Sequence, residues 1–563
     1  MKRIILLVIG AGLGAAWYLT LPPRAMVLAT VASIPPAVRG VVHVHTSRSD
    51  GTGTVDSVAA AAARAGLKFV VFTDHGDGTR QPDPPAYHDG VLCIDAVEIS
   101  TTDGHLVALG MAKAPYPLGG ESRDVADDVH RLGGFAVAAH PASAKDELRW
   151  TDWSASIDGL EWLNGDSEWR DEDAGSLLRV MLAYPGRQPE ALAMMLDRPE
   201  ELLRRWDRLA SARPIVALAG SDAHARLGLR AYGEPYDNSR NSLHLPSYEA
   251  MFRTFSIALD DVTLSGDADL DADAVLDAID GGRVFTAIDA LAAPAALSFW
   301  GTSGVHKASM GGRLLLDGPA TLHASVQAPP GSQIVLLQDG GQIANGDAGR
   351  PLTHEASSDP AVYRVEVRVA GAPGQPPVPW LMSNPVYAGT PPAAPAPRAA
   401  ATQFAVQYDN GPGTAWKVET GARSQGAIDQ LPTVGGSQLG FRYALSGALS
   451  ESPYAALVMP AGPDLAKFDR LMFTARAAKP MRVSVQLRTQ AGGVEQRWHR
   501  SVYLDETPRD ITVFFDDLRP RGTTLQAKLP LDQIQSVLWV VDTVNADLGT
   551  NGQFSIDAVK YAR

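Results

Sequence analysis

The chain has 563 residues, 45% hydrophobic and 20% charged, a length that suits several domains and a composition that excludes a disordered chain or a many-span membrane protein. Its 49 Lys plus Arg against 63 Asp plus Glu give a net charge of -14, which repels a phosphate backbone; no basic run offsets it, and no nucleic-acid partner is expected. The single cysteine, Cys93, excludes an intrachain disulfide and a thiolate-based zinc site, so any metal must be held by His and carboxylates.

Lys2 and Arg3 precede an uncharged stretch from Ile4 to Leu21, which Pro22 and Pro23 terminate. Residues 1–23 therefore read as a secretory signal peptide or an uncleaved signal anchor, with a small-residue cleavage site near Ala29 to Ser33. The basic pair stays cytoplasmic, which sends the rest of the chain to the periplasm or another extracytoplasmic face, anchored to the membrane or secreted.

Residues 39–295 alternate short apolar runs with helical patterns, the signature of β/α units around a mainly parallel sheet or barrel. Val41 to His45 and Leu67 to Thr73 read as strands joined by a helix that Thr54 caps and Gly66 ends. Further strands are Ile94 to Ser100, His105 to Gly110, Phe135 to His140, Gly159 to Asn164 and Ile215 to Gly220, with a helix over Ser122 to Leu132. Residues 296–389 change to short alternating runs between Gly, Pro and Asp turns, a small all-β domain. A Pro/Ala linker over 390–402 separates it from a third domain, 403–563, in which only strand patterns appear.

Almost every strand of the first domain ends in a residue able to bind a metal: His43 and His45, with Asp50 in the following loop, then His75, Glu98, His105, His140, Asp222 and His224. In β/α barrels the C-terminal strand ends form one face, so these nine residues converge there. His43 and His45 are two apart on a strand, which points both rings to the same face, as it does Asp222 and His224. Nine nitrogen and oxygen ligands exceed what one ion takes, implying two or three divalent ions of zinc, manganese or iron. Arg48, Arg226 and Arg230 flank these loops and are candidate clamps for an anionic substrate. Asp74 is expected to orient a ligand histidine.

The run His43-Val-His45-Thr-Ser-Arg-Ser-Asp50-Gly, followed by Thr73-Asp74-His75, Glu98, His105, His140-Pro141 and Ser221-Asp222-Ala223-His224, resembles the PHP (polymerase and histidinol phosphatase) superfamily. The resemblance covers about 250 residues and implies a distorted seven-stranded β/α barrel. It further implies that Glu98 bridges ions, that His43, His45 and Asp222 hold one, that His105 and His140 hold another, and that Asp50, His75 and His224 hold the third. Asp50 stands where some members carry His.

Clustered divalent ions lower the pKa of water and stabilise charge on an attacked group, so hydrolysis is the expected chemistry. The resemblance implies cleavage of a phosphoester by a metal-activated hydroxide. The order of exported barrel, then small β domain, also resembles a branch that includes carbamate-ester hydrolases, which leaves carbamate or carboxylic esters and amides as alternative substrates. A small-molecule or envelope-associated ester is the expected partner. Residues 403–563 are similar to galactose-binding-like, jelly-roll β-sandwiches of the carbohydrate-binding kind, with Trp416, Trp498, Tyr503 and Trp539 as aromatic faces that either stack on sugars or fill the core. A non-catalytic envelope protein that binds a glycan or a protein partner is the remaining class; a structural metal site closes with about four ligands, and nine exceed that need.

Overall fold

The computed structural model describes residues 2–29, 34, 37–228, 242–389, 398–410, 415–421, 423–433, 436–462, 465–491, 494–522 and 528–563. Arg230, the cleavage site expected near Ala29 to Ser33 except for Ala29 itself, and 390–397 of the linker lie outside them. The chain forms two compact units: Met1–Gly76, Gln81–Ala112 and Ala126–Ala394 make the first, and Asp77–Arg80, Lys113–Val125 and Pro395–Arg563 the second.

The first unit is organised around Val38–Val44, whose last five residues are buried. It pairs in parallel with Phe69–Phe72 on one side and with Val216–Ala223 on the other. Phe69–Phe72 is followed in parallel by Val91–Asp95, and Val216–Ala223 by Gly159–Asn164 and then Phe135–Ala138. These strands read as continuous apolar runs because both faces are covered. Between the first two strands lies the helix Val55–Arg64; Thr54 caps it by accepting from the Ser57 amide, and Val58, Ala59, Ala61 and Ala62 are buried.

The sheet closes as a barrel of mixed direction, less parallel than the β/α pattern predicts. The stretch expected as one strand over Ile94 to Ser100 is two, Val91–Asp95 and Val97–Thr101. The second folds back on Gly104–Leu109 as an antiparallel hairpin, pairing Ser100 with His105 and Glu98 with Val107. The hairpin turns at Thr102 and Asp103, with Gly104 at φ +112°, a conformation open to glycine at no steric cost. A bridge between His75 and Glu98 ties this hairpin to the strand side of the barrel.

Residues 296–389 divide between two sheets. Ala296–Ser303, His306–Ser309, Ala320–Gln327 and Leu352–Ala356 form a four-stranded antiparallel sheet with alternating burial. Gln333–Gln338, Ala361–Arg368 and Leu381–Ser383 instead extend the barrel sheet, the last by pairing with Val284–Ala287.

The C-terminal portion of the second unit is a β-sandwich with two six-stranded sheets. Its core holds Trp416, Trp498 and Trp539 beside Phe441, Phe473 and Phe554. These three tryptophans, read in the sequence as either sugar platforms or core, are core; Tyr503 alone of the four remains half-buried. Among the described residues, no helix is long and apolar enough to cross a membrane.

Candidate metal centre

All nine residues singled out by the sequence meet at one end of the barrel strands, in four overlapping groups whose ligand atoms lie within 4.8 Å of one another. One group is His43, His45 and Asp222; a second is His45, Asp50, His75 and His224. Glu98 joins two more, with His43 and His140 and with His75 and His105. The His105 and His140 pair that the family resemblance puts on one ion is thus divided between two groups, with Glu98 common to both.

Regular alternation is not what brings His43 and His45 together. His43 has φ +61° and the strand slips register between Val41 and Val44, while its neighbour slips between Gly220 and Ala223, where Asp222 has φ +48°. His140 is left-handed too, at +31°. A non-glycine residue in this region costs on the order of 1–3 kcal/mol and persists only where surrounding contacts impose it. Here the bulges turn both rings inward, with His43 and His45 ring centroids 5.2 Å apart and His45 stacked on His224 at 4.1 Å.

The donor atoms are aimed and buried. His140 donates from Nδ1 to the Leu148 carbonyl at 3.1 Å, which leaves Nε2 facing Glu98 at 2.9 Å. Nδ1 of His224 faces the Asp222 carbonyl at 2.9 Å, leaving Nε2 3.2 Å from Asp50. Nε2 of His43 and of His45 each lies 3.2 Å from Oε2 of Glu98, and all three atoms are buried without a hydrogen-bond partner. Buried polar atoms left unpaired are costly, and a shared cation at their meeting point removes the cost. The residues present therefore fit divalent ions held by His and carboxylate.

Burial opposes charge on His43, His45, Glu98 and Asp222, and the neighbours overrule it. Asp222, Glu161 and Glu98 hold His43 well above the ordinary histidine value against its burial. For His45, burial is likewise outweighed by Asp222 and Glu98, which carry it up to about 10. In the opposite direction, the histidines around Glu98 and Asp222 hold both carboxylates well below their usual range although burial pushes them up. Protons and divalent ions therefore compete for the same histidine nitrogens.

Two residues that position the cluster, Glu161 and Tyr248, are not singled out from the sequence, whereas Asp74 is. Glu161, on Gly159–Asn164, meets Nδ1 of His43 at 2.6 Å and accepts the His140 amide at 2.7 Å and the Asn164 amide side chain at 2.8 Å. A Cβ on Gly220 would fall 1.9 Å from the Glu161 carboxylate, so only glycine leaves it room. The available signal was a glutamate in the middle of an otherwise apolar strand. Tyr248 donates its hydroxyl to the His45 carbonyl at 2.8 Å and accepts the amides of Thr52 and Gly53, tying the Asp50 loop to the strand end. Asp74 orients a ligand only indirectly: it accepts the Thr46 amide and the hydroxyls of Thr46 and Ser49, and Ser49 lies 3.4 Å from His45 Nδ1.

The candidate anion clamps separate. Arg226 donates to the Asp50 carbonyl at 3.2 Å, at the edge of the centre. Arg48 is turned away and pairs with Asp83 and Asp95. Arg170, not anticipated, is largely buried beside Asp166, and the charges of Asp222 and Asp50 reach it.

The barrel and its histidine–carboxylate cluster define the first unit, and a β-sandwich defines the second. No protein family and no curated protein matches the chain. Among solved structures, it is similar to the family 11 carbohydrate-binding module of the cellulosomal cellulase Lic26A-Cel5E of Clostridium thermocellum, at 18% identity and TM-score 0.25 over 29% of this chain and 95% of that one. The same module in complex with a β-1,3-1,4-mixed-linked tetrasaccharide aligns at 17% identity and TM-score 0.25, over 29% and 96%. A family 30 module of the Clostridium thermocellum cellulase Cel9D-Cel44B aligns at 8% identity and TM-score 0.23, over 28% and 97%.

Proposed function

We propose that the first unit is a metal-dependent hydrolase of the PHP type acting on a phosphoester. The observation that carries this reading is the convergence of nine His and carboxylate side chains on shared points, with buried donor atoms of His43, His45 and Glu98 unpaired there. His43, His45 and Asp222 would hold one ion and His45, Asp50, His75 and His224 a second, while Glu98 would contribute with His43 and His140 and with His75 and His105. Ions bound there supply Lewis acidity and lower the pKa of water toward neutrality. The protein's part is to fix the donors through Glu161, Leu148 and Asp222, and to offer Arg226 and Arg170 to an anionic substrate at the rim. No Ser or Cys nucleophile is required. Carbamate, carboxylic ester or amide cleavage is the competing chemistry.

The test is turnover of a generic phosphodiester, a carboxylic ester and a carbamate by the full chain, before and after chelation and after return of zinc, manganese or ferrous iron. Phosphodiester hydrolysis lost on chelation and restored by metal is expected. Activity indifferent to chelator rejects the hydrolase reading, and restored activity on the carbon esters alone transfers it to the competing chemistry.

For the second unit we propose glycan binding, in a cleft of about 890 Å³ lined in part by Arg442, Lys479, Asn545, Asn551 and Gln553. Amide and cationic side chains together suit the hydroxyls of a sugar. Retardation of the protein in gels containing soluble β-glucan is expected; unchanged mobility across a panel of soluble polysaccharides rejects it.

A further inference from the structure

The helix Ala174–Ala183 is apolar on two faces. One face buries Val180 and Ala183 in a core cluster of the first unit, with Leu177 and Tyr184 packed against it. The other presents Leu178, Met181 and Leu182 to solvent, 56, 63 and 58% exposed. Positions 178, 181 and 182 follow the i, i+3, i+4 rule, so they form one stripe. A soluble surface helix would carry polar residues there.

This stripe continues into a second exposed apolar surface. Nε1 of Trp17, near the end of the N-terminal helix Lys2–Thr20, donates to the Leu182 carbonyl at 2.8 Å. A Cβ on Gly186 would come within 3.0 Å of both Leu21 and Trp17, so the chain after the stripe is in close contact with the end of that helix. Arg187 lies over the Tyr18 ring at 5.4 Å and donates to the Pro22 carbonyl. Residues 11–20 of the N-terminal helix are themselves exposed on every side, with Leu13 at 67% and Leu19 at 82%.

We infer that the stripe Leu178, Met181 and Leu182, together with the end of the N-terminal helix, is a lipid-contacting surface that seats the first unit on a bilayer. Contiguous exposed apolar surface of this kind marks an interaction site. A second copy of the chain would cover one side of the N-terminal helix; lipid is what suits an exposed apolar segment such as residues 11–20. Trp17 and Tyr18 sit where amphipathic rings favour the headgroup boundary, and the stripe lies at the same level through the Trp17 contact. The inference goes beyond the anchor expected from Lys2 to Leu21, because it adds a contact by the folded unit itself. It does not depend on the hydrolase reading.

The test uses the full chain with Cys93→Ala, reconstituted in phosphatidylethanolamine and phosphatidylglycerol vesicles. It carries one nitroxide at a time, through Met181→Cys, Leu13→Cys or Val305→Cys. Val305, 92% exposed, serves as the aqueous reference. Collision rates with oxygen, which partitions into lipid, and with a soluble nickel chelate are compared. The expected result is a reversal of the ratio: labels at 181 and 13 favour oxygen, and the label at 305 favours nickel. Nickel access at 181 with oxygen preference kept at 13 overturns the inference while leaving a lipid-bound N-terminal helix. Nickel access at both positions removes the leaflet altogether. Exclusion of both reagents at 181 with spin–spin broadening assigns the stripe to a second copy of the chain and equally overturns it.

Discussion

Replacing His43 by alanine should cost both metal and turnover, the largest functional effect expected of any single substitution. His43 belongs to two of the four ligand groups, so its loss leaves Glu98 and Asp222 facing each other across a weakened site. Removing a residue that merely orients a ligand costs 10–100-fold in affinity or activity, and removing a doubly shared ligand should exceed that, at about 1000-fold or about 4 kcal/mol. Elemental analysis of reconstituted protein should fall from two or three ions per chain to one or fewer. Glu161→Gln provides the graded comparison: it keeps size and can still accept the His140 amide, but no longer offers a carboxylate to His43 Nδ1. Its metal affinity should drop 10–100-fold with the fold intact. Full metal retention by His43→Ala would show that the ions are held away from His43, and the hydrolase reading built on this cluster would go with it.

The largest stability effect is expected away from the metal centre, at Arg364. This side chain, 2% exposed, donates from Nε and Nη2 to Asp207 at 2.7 and 3.0 Å and from Nη1 to Glu366 at 2.8 Å, and its guanidinium lies 5.0 Å from the Trp206 ring. Glu366 also receives Arg198. Burial works against both charges, yet the pairing holds Glu366 down at about 2 and keeps Arg364 raised. Truncation in Arg364→Ala leaves Asp207 without its charge partner while Glu366 keeps Arg198 and Arg368, and breaking such a buried pair costs about 3–5 kcal/mol. At roughly 2–4 °C per kcal/mol for a large domain, the first unit should melt on the order of 10 °C lower. Calorimetry on metal-loaded protein checks this. Replacing Arg364, Asp207 and Glu366 together by apolar residues of similar volume should recover most of the loss, because no charge is then left buried alone. A melting temperature within about 2 °C of the parent for Arg364→Ala would mean that water reaches the network and the burial is incomplete.

Much of the candidate site is legible from residues alone, for a physical reason. Metal ligands must be His, Asp or Glu, they must sit where strands end, and no pattern of core packing calls for so many of them there. The helix Val55–Arg64 with its Thr54 cap, the strand Gly159–Asn164 and the all-strand character of 403–563 are equally local, because caps and apolar period depend on near neighbours. Tertiary structure decided the rest. The left-handed backbones at His43, His140 and Asp222 exist because barrel closure holds them, and nothing in the adjacent sequence calls for them. The role of Glu161 depends on the absence of a side chain at Gly220, 59 positions away, and that of Arg364 on Asp207, 157 positions away. Whether Trp539 faces a sugar or a core, and whether Arg48 faces the ions or Asp83, turns on which surfaces the folded chain brings together. Sequence determined which chemistry the side chains can perform; only the fold, by closing long loops and excluding water, decided which of them share a point in space.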